Sequence, residues 1–99
     1  MPHAVPRLSR TDALVLDLLI EHERYGLELV AASGGRLKRG TVYVTLGRME
    51  QKGLVLSRQE HTQGTPGLPR RLYRLSALGR RVHAAHRVFR QMLRPAKAT

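Results

Sequence analysis

Glycines divide the first 53 residues of this 99-residue chain into three segments, and this division constrains the fold more than any other feature. Helical patterns cover residues 10–23, 27–32 and 38–52. The glycines that separate or end them are Gly26, Gly34, Gly35 and Gly53. Glycine readily adopts the left-handed backbone that terminates many helices. Three short helices joined by tight turns predict a helix-turn-helix arrangement.

Each helical pattern has an apolar face. Either Ser9 with Asp12, or Thr11 itself, forms an N-cap signature for the first helix. The wide apolar face of this helix suggests contacts with the core and with a second subunit. The residues expected on the inner faces of the second and third helices are Leu27, Val30, Ala31, Val42, Leu46 and Met49. The polar side of the third helix would fit a major groove of DNA.

The apolar period changes to two after Gly53. Apolar and polar residues alternate over residues 54–61 and again over 71–75, which predicts two β-strands. Residues 62–69 contain two glycines and two prolines and are predicted to form a turn. The resulting β-hairpin, with a flexible basic tip, would be the wing of a winged helix-turn-helix.

A last helix is predicted over residues 77–93, with Ser76 as its N-cap and Pro95 beyond its end. Its apolar residues have the 4, 3, 4, 3 spacing of a coiled-coil seam: Leu78, Val82, Ala85, Phe89 and Met92. An intramolecular contact could cover this seam, but the other helices already have a core to fill. We therefore expect a homodimer interface that also includes Leu14 and Leu18.

Positive charge is concentrated in the C-terminal part of the chain. Eighteen Lys and Arg against seven Asp and Glu give a net charge of +11. Residues 1–60 hold nine basic and seven acidic residues, a net of +2, whereas residues 61–99 hold nine basic and no acidic residues, a net of +9. Such a field attracts polyanions such as DNA. The absence of cysteine, of a long apolar run and of a signal pattern predicts a cytoplasmic protein without membrane contact.

Four short motifs follow one another between residues 25 and 80. They are YGLEL at 25–29, RGTVY at 39–43, LGRMEQKGL at 46–54 and YRLSALGR at 73–80. In this order they resemble the PadR family of bacterial transcriptional regulators, in its compact branch with a short C-terminal helix. The resemblance implies a winged DNA-binding domain, dimerisation through the C-terminal helix, and a nucleoid-associated protein of the bacterial cytoplasm.

Two positions depart from the family pattern. Val44 stands where the family usually has Pro, and Gly47 lies inside the recognition helix, where it either permits the close approach of a backbone or partner helix or is simply tolerated. Some relatives bind planar apolar effectors between subunits, which implies a small apolar effector at this dimer interface. Such pockets are built on aromatic residues, and one Phe with no Trp argues against one here.

The predicted DNA contacts divide by chemistry. Base reading is assigned to Thr41, Tyr43, Thr45 and Arg48, which are expected to point outward from the third helix. Phosphate contacts are assigned to Lys38, Arg39, Lys52, Arg58, Arg70 and Arg71. Two alternatives stay open: the Tyr43 ring packs between the first and third helices, or Arg48 pairs with Glu50 or another acid. Tyr25 and Tyr73 are interpreted as core or hinge residues.

The histidines are interpreted as solvent-facing, among them His22, His61, His83 and His86. His83 and His86 could reach one ion, but no carboxylate follows Glu60 and no third ligand is evident nearby. No metal, no cofactor and no catalytic set are expected, so the chain is predicted not to be an enzyme.

The sequence thus predicts an α+β fold, mainly α: a winged helix-turn-helix of three helices and a two-stranded wing, plus a C-terminal dimerisation helix. The expected parts are a flexible arm (1–8), the DNA-binding domain (9–75), the dimerisation helix (76–94) and a disordered tail (95–99). The favoured function is a homodimeric repressor of a palindromic operator, with residues 38–52 in the major groove and 54–75 on the backbone. The alternatives are non-specific or architectural DNA binding and a protein-interaction module.

Overall fold

The computed structural model describes residues 8–60 and 70–93 and contains four helices and a small antiparallel sheet. In chain order the elements are α1 (Arg10–Glu21), β1 (Arg24–Tyr25), α2 (Gly26–Ala32), α3 (Arg39–Gln51), β2 (Val55–Glu60), β3 (Arg70–Leu75) and α4 (Ala77–Met92). The predicted winged fold with a C-terminal helix is confirmed. The predictions for the arm up to residue 7, the turn over 62–69 and the tail over 95–99 lie outside the described residues, as does His61.

Serine side chains cap the first and last helices. Ser9 Oγ accepts a hydrogen bond from the Asp12 backbone N–H at 3.0 Å, and the Asp12 carboxylate accepts one from the Ser9 backbone N–H at 3.3 Å. Ser76 Oγ accepts a hydrogen bond from the backbone N–H of Gly79 at 2.9 Å. Each cap satisfies a backbone donor that the first helical turn leaves without a partner. Both predicted helix starts are therefore confirmed.

The sheet has the strand order β1-β3-β2. The pair β2 and β3 is the predicted hairpin, and β1 adds a third strand with Arg24 opposite Tyr73 and Tyr25 opposite Leu72. Because β1 begins at Arg24, α1 ends at Glu21, two residues earlier than the predicted end at residue 23. A two-residue strand is too short to show an alternating sequence pattern, and its partners Leu72 and Tyr73 lie far along the chain. The sequence therefore shows no sign of β1.

The core lies where α1, α3 and the inner face of the sheet meet. Its most deeply buried residues are Val15, Leu16, Leu19, Leu29, Leu37, Val42, Leu46, Met49, Leu54 and Val55. The prediction for α2 is confirmed for Val30, which is half-buried and packs against the core, but wrong for Leu27 and Ala31, which are exposed while Leu29 is buried. A seven-residue helix is too short for its apolar spacing to define a face, so packing against neighbouring elements sets its rotation.

Helix α4 packs against α1 through an ion pair. His83 is buried, and its Nε2 lies 2.9 Å from Asp17 Oδ1, while Arg90 Nη2 lies 3.6 Å from Asp17 Oδ2. The prediction that His83 faces solvent is therefore wrong, because its acidic partner comes from the first helix of the chain. His86 is half-buried and His22 is exposed.

Most of the apolar seam of α4 has no cover within the described residues. Val82 is buried, whereas the other predicted seam residues are exposed: Leu78, Ala85, Phe89 and Met92. Val88 and Leu93 add to the exposed apolar surface at the same end of the helix. Leu14 and Leu18 of α1 are half-buried and pack against the core.

Gly79 sets how closely α4 approaches the sheet. A Cβ atom at this position would overlap with the backbone carbonyl oxygen of Leu54. We expect Gly79→Ala to lower the free energy of unfolding by about 1–3 kcal/mol, as forced overpacking does. Chemical denaturation measures the change.

The matched control is Gly47→Ala in α3, where a Cβ would meet nothing within 4 Å. This variant should gain about 0.5–1 kcal/mol, because alanine is the better helix former. Equal effects of the two substitutions would contradict the close approach of α4.

Candidate nucleic-acid interface

The rotation of α3 about its axis is fixed by the apolar stripe that it buries. Val42, Leu46 and Met49 are fully buried, as predicted. Because successive residues of an α-helix are 100° apart, the line opposite this stripe is determined as well. It consists of Gly40, Val44, Gly47 and Gln51, all of which are exposed. We call these four residues the outward line.

Cationic and polar side chains border the outward line. Thr41, Arg48 and Lys52 follow one edge and are exposed, and Arg39 lies on the other edge near the start of the helix. Lys38 is the N-cap residue of α3 and is also exposed. The predicted phosphate contacts at the two ends of α3 are thus at the surface, on either side of one helix face.

Thr45 does not reach this face, contrary to its prediction as a base-reading residue. Its side chain is buried, with only 4% of the residue exposed. Thr45 lies three residues after Val42 and four before Met49, so it belongs to the buried side of the helix. The buried side of α3 therefore includes Thr45 in addition to the three apolar residues Val42, Leu46 and Met49.

Arg48 is held by a buried carboxylate. Its Nη2 donates to Asp12 Oδ1 at 2.7 Å, and the side chain of Asp12 is 3% exposed. The alternative of an acidic partner is thus the one observed, and the partner is Asp12, because Glu50 instead accepts a hydrogen bond from Ser57 Oγ at 2.7 Å. Since Asp12 also completes the cap of α1, a single carboxylate connects the start of α1 to the edge of α3. The guanidinium group remains at the surface, where 46% of the side chain is exposed.

Tyr43 packs against α2. A Cβ at Gly26 would lie 2.5–2.9 Å from the outer atoms of the Tyr43 side chain, so a larger residue there would have to displace the ring. Half of Tyr43 is exposed. The ring therefore packs on the start of α2, rather than between α1 and α3, and its outer side lies at the border of the outward line. Tyr73 is a core residue, as interpreted from the sequence.

The wing strands carry a network of charged side chains. Arg58 binds the Glu23 carboxylate through two hydrogen bonds, at 2.6 and 3.2 Å, and lies 3.7 Å from Glu60. The hydroxyl of Tyr25 donates to Glu60 Oε1 at 2.9 Å, and the guanidinium group of Arg70 lies 5.6 Å from the centre of the Tyr25 ring. These contacts connect β1 to the outer ends of β2 and β3.

The network changes the protonation behaviour of three of its members, among them Arg58, whose pKa is raised by its hydrogen bonds to Glu23. Hydrogen bonds from Arg58 lower the pKa of the Glu23 carboxyl, because they favour its charged form. The hydrogen bond to the Glu60 carboxylate raises the pKa of the Tyr25 phenol, because it favours the protonated form. Arg58, a predicted phosphate contact, is therefore already engaged by acids of the chain.

The other predicted wing contacts are at the surface. Arg70 and Arg71 are exposed, and Arg71 Nε donates to Ser57 Oγ at 3.1 Å. Arg74 is also exposed and was not among the predicted contacts. Val44 and Gln51 were missed as well, although counting around the helix from Val42 and Met49 places both of them opposite the core.

Residues 8–60 and 70–93 provide neither a metal site nor a membrane-spanning helix. No group of three His, Cys, Asp or Glu side chains in these residues is arranged to hold a metal ion. The helices of this part of the chain are too short or too polar to cross a membrane.

A helix-turn-helix with an exposed third helix and an adjoining β-hairpin defines the class of winged helix-turn-helix proteins. The family model described as the transcriptional regulator PadR-like family matches residues 15–85. The chain belongs to this family, which confirms the resemblance seen in its motifs.

Solved structures of PadR family regulators have the same fold. One from Clostridium difficile R20291 is 28% identical, with 86% of this chain and 91% of that chain covered and a TM-score of 0.76. One from Eggerthella lenta DSM 2243 is 31% identical, with 82% and 71% covered and a TM-score of 0.69. Bacillus subtilis PadR, solved in complex with operator DNA, is 16% identical, with 94% and 52% covered and a TM-score of 0.71. No curated protein matches the chain.

The pair Glu23 and Arg58 should make stability depend on pH in acid. The pKa of Glu23 is lowered from 4.5 in the folded state, so its contribution is complete above that value and is lost as the pH falls through the lowered pKa. We expect Glu23→Gln to flatten the decline of the free energy of unfolding below pH 4.5. Urea denaturation across this pH range measures it.

Arg58→Gln is the matched variant. In the double variant, which carries Glu23→Gln and Arg58→Gln, the decline of the free energy of unfolding in acid should be no flatter than in either single variant. Additive effects of the two substitutions would show that the carboxyl and the guanidinium act independently.

Proposed function

We propose that this chain is a DNA-binding transcriptional regulator that inserts α3 into the major groove and places the wing beside the DNA backbone. The observation that carries the proposal is the outward line of α3, exposed along its whole length and bordered by cations. A major groove about 12 Å wide admits one α-helix. Further support comes from the shared fold of Bacillus subtilis PadR, which was solved with operator DNA.

The contacts divide between α3 and the wing. Lys38, Arg39 and Lys52 are exposed and would bind phosphates on either side of the groove, and the exposed Arg70 and Arg71 would extend this cationic surface onto the wing. Arg58 could bind a DNA phosphate only in competition with the carboxylates of Glu23 and Glu60. The bases would be read by the face of α3 that enters the groove. Thr41, Tyr43 and Arg48 lie along the borders of this face.

A homodimer is the proposed assembly. The exposed seam of α4 supports it, because an amphipathic helix gains stability by burying such a face against a second copy. Leu78, Phe89 and Met92 would form the centre of this interface, with Leu14 and Leu18 beside it. Two copies related by a twofold axis would present their α3 helices to successive major grooves about 34 Å apart on a palindromic operator, and the bound dimer would act as a repressor.

The remaining proposals concern ligands and location. As a member of a family of transcriptional regulators, the chain would act on nucleoid DNA in the bacterial cytoplasm, without cofactor or catalysis. The proposed apolar effector finds little support. A cavity of about 690 Å³ beside α1 and α4 is lined by Leu8, Ala13 and Leu14 but also by charged and polar residues that include Arg10, Asp17, Arg36 and Arg90, and no tyrosine or phenylalanine lies among its described lining residues.

Non-specific, architectural DNA binding is the second candidate. Residues 61–99 carry a net charge of +9, and the exposed arginines of α4 include Arg80, Arg81, Arg87 and Arg90. Charge of this kind binds any duplex, with a steep dependence on salt and little discrimination between sequences.

Selection of bound sequences from a random duplex pool separates the two candidates. If the chain is a sequence-specific homodimeric regulator, the selected duplexes should share one consensus with twofold symmetry. Lys52→Ala should weaken binding to all sequences alike and lower the slope of log K against log salt by about 0.9, because one phosphate contact is lost. Arg48→Ala should reduce the preference for the consensus. A pool without consensus would favour the architectural function, and equal weakening on all sequences by both variants would refute these two roles.

The dimer is tested at Phe89, an exposed seam residue. Phe89→Glu places a charge on the seam and should convert a dimer into a monomer, as measured by size exclusion with light scattering. Gln91→Glu adds the same charge at an exposed polar position of the same helix and should leave the dimer intact. Loss of the dimer in both variants, or in neither, would argue against the seam as the interface.

A further inference from the structure

Val44 is the most exposed large apolar residue of residues 8–60. It leaves 68% of its surface accessible, although it lies in the middle of α3 and not at a helix end. An exposed valine does not stabilise the helix, because a β-branched side chain is a weaker helix former than alanine. The fold of the chain therefore gives no reason for an apolar side chain at this position.

The position of Val44 on the outward line sets it apart from the other exposed apolar residues. Gly40 precedes it by four residues and Gly47 follows it by three, so the glycines lie on the same face, one turn away in each direction. A Cβ at either glycine would meet nothing within 4 Å. The two methyl groups of Val44 therefore project from the outward line with no side chain at the position before or after them on that line, while Thr41 and Arg48 flank them on one edge.

The surroundings of Val44 favour DNA over a protein as its partner. Lys38, Arg39 and Lys52 border the same face, and a cationic frame of this kind suits a polyanion. Because glycines precede and follow Val44 along the outward line, the helix can also approach a groove closely, which brings the valine methyl groups to the edges of the bases.

The chemistry of the groove then restricts what Val44 can recognise. A valine side chain has neither a hydrogen-bond donor nor an acceptor. The edges of the four base pairs in the major groove carry donors and acceptors, and the C5-methyl group of thymine is their apolar feature. Contact between methyl groups removes apolar surface from water, whereas an amino or carbonyl group against valine would lose its own hydration.

We propose that Val44 selects thymine at one position of each half-site through the C5-methyl group. This inference rests on the proposed insertion of α3 into the major groove, and it makes Val44 a specificity-determining residue. The glycines on either side are what allow the short side chain to reach the base edge.

Replacement of thymine by deoxyuridine tests the proposal, because it removes the methyl group and leaves every hydrogen-bonding group of the base in place. Each thymine of the selected consensus is replaced in turn, and dissociation constants are measured by fluorescence anisotropy. At one thymine of the half-site the wild-type dimer should bind about fourfold more weakly after replacement, the effect of one buried methyl group.

The same scan with Val44→Ala is the decisive comparison. This variant should bind thymine and deoxyuridine equally well at that position, whereas Val44→Ile, which keeps apolar reach, should retain the preference. Thermal unfolding should show no loss of stability in Val44→Ala, because the side chain is exposed and alanine favours helix.

Three outcomes would overturn the proposal. Identical thymine preferences in the wild type and in Val44→Ala would refute the role of Val44 while the proposed function stands. A change of oligomeric state in Val44→Ala would assign the residue to a protein contact. A wild-type protein that selects no consensus would refute sequence-specific binding by α3, and the inference would fail with it.

Discussion

The packing of one side of α3 against the core is the constraint on which the proposed interface depends. Val42, Thr45, Leu46 and Met49 are all buried, and together they leave the helix a single rotation about its axis. A change of one residue in that rotation would turn every side chain by 100° and would bury Val44 and Arg48 in one direction or Tyr43 and Glu50 in the other. The interior of the domain therefore determines the surface that we propose to face DNA, and the character of that surface follows from residues that make no contact with the core.

Ion pairs fix the surroundings of this face. Asp12 holds Arg48 at one edge of α3, and Glu23 with Glu60 holds Arg58 on the wing. Exposed pairs such as Arg58 with Glu23 contribute little to stability, but they hold their side chains in place and reduce the local charge. The cations of the interface that are seen in no ion pair within the described residues, such as Lys38, Arg39 and Lys52, are therefore the better candidates for phosphate binding.

The sequence predicted what depends on local patterns. Glycines and serine caps placed the helices to within a few residues, and the change of period after Gly53 predicted the hairpin. Contacts between residues far apart in the chain were not predictable: the strand β1, the pair of His83 with Asp17, and the hold of Asp12 on Arg48. Thr45 illustrates a third kind of difference, because a polar residue inside an apolar stripe gives no sign in the sequence that it is buried. At the site, the cations at the ends of α3 were predicted, whereas the outward line was not.

The central claim is that the outward line of α3 is the surface that meets DNA. Amide chemical shifts of the isotope-labelled protein, followed by NMR while a duplex containing its consensus is added, test this claim residue by residue. We expect the largest changes of amide chemical shift at Gly40, Val44, Gly47 and Gln51, with smaller changes along the wing strands. Shift changes confined to the arginine-rich surface of α4, with α3 unaffected, would contradict it.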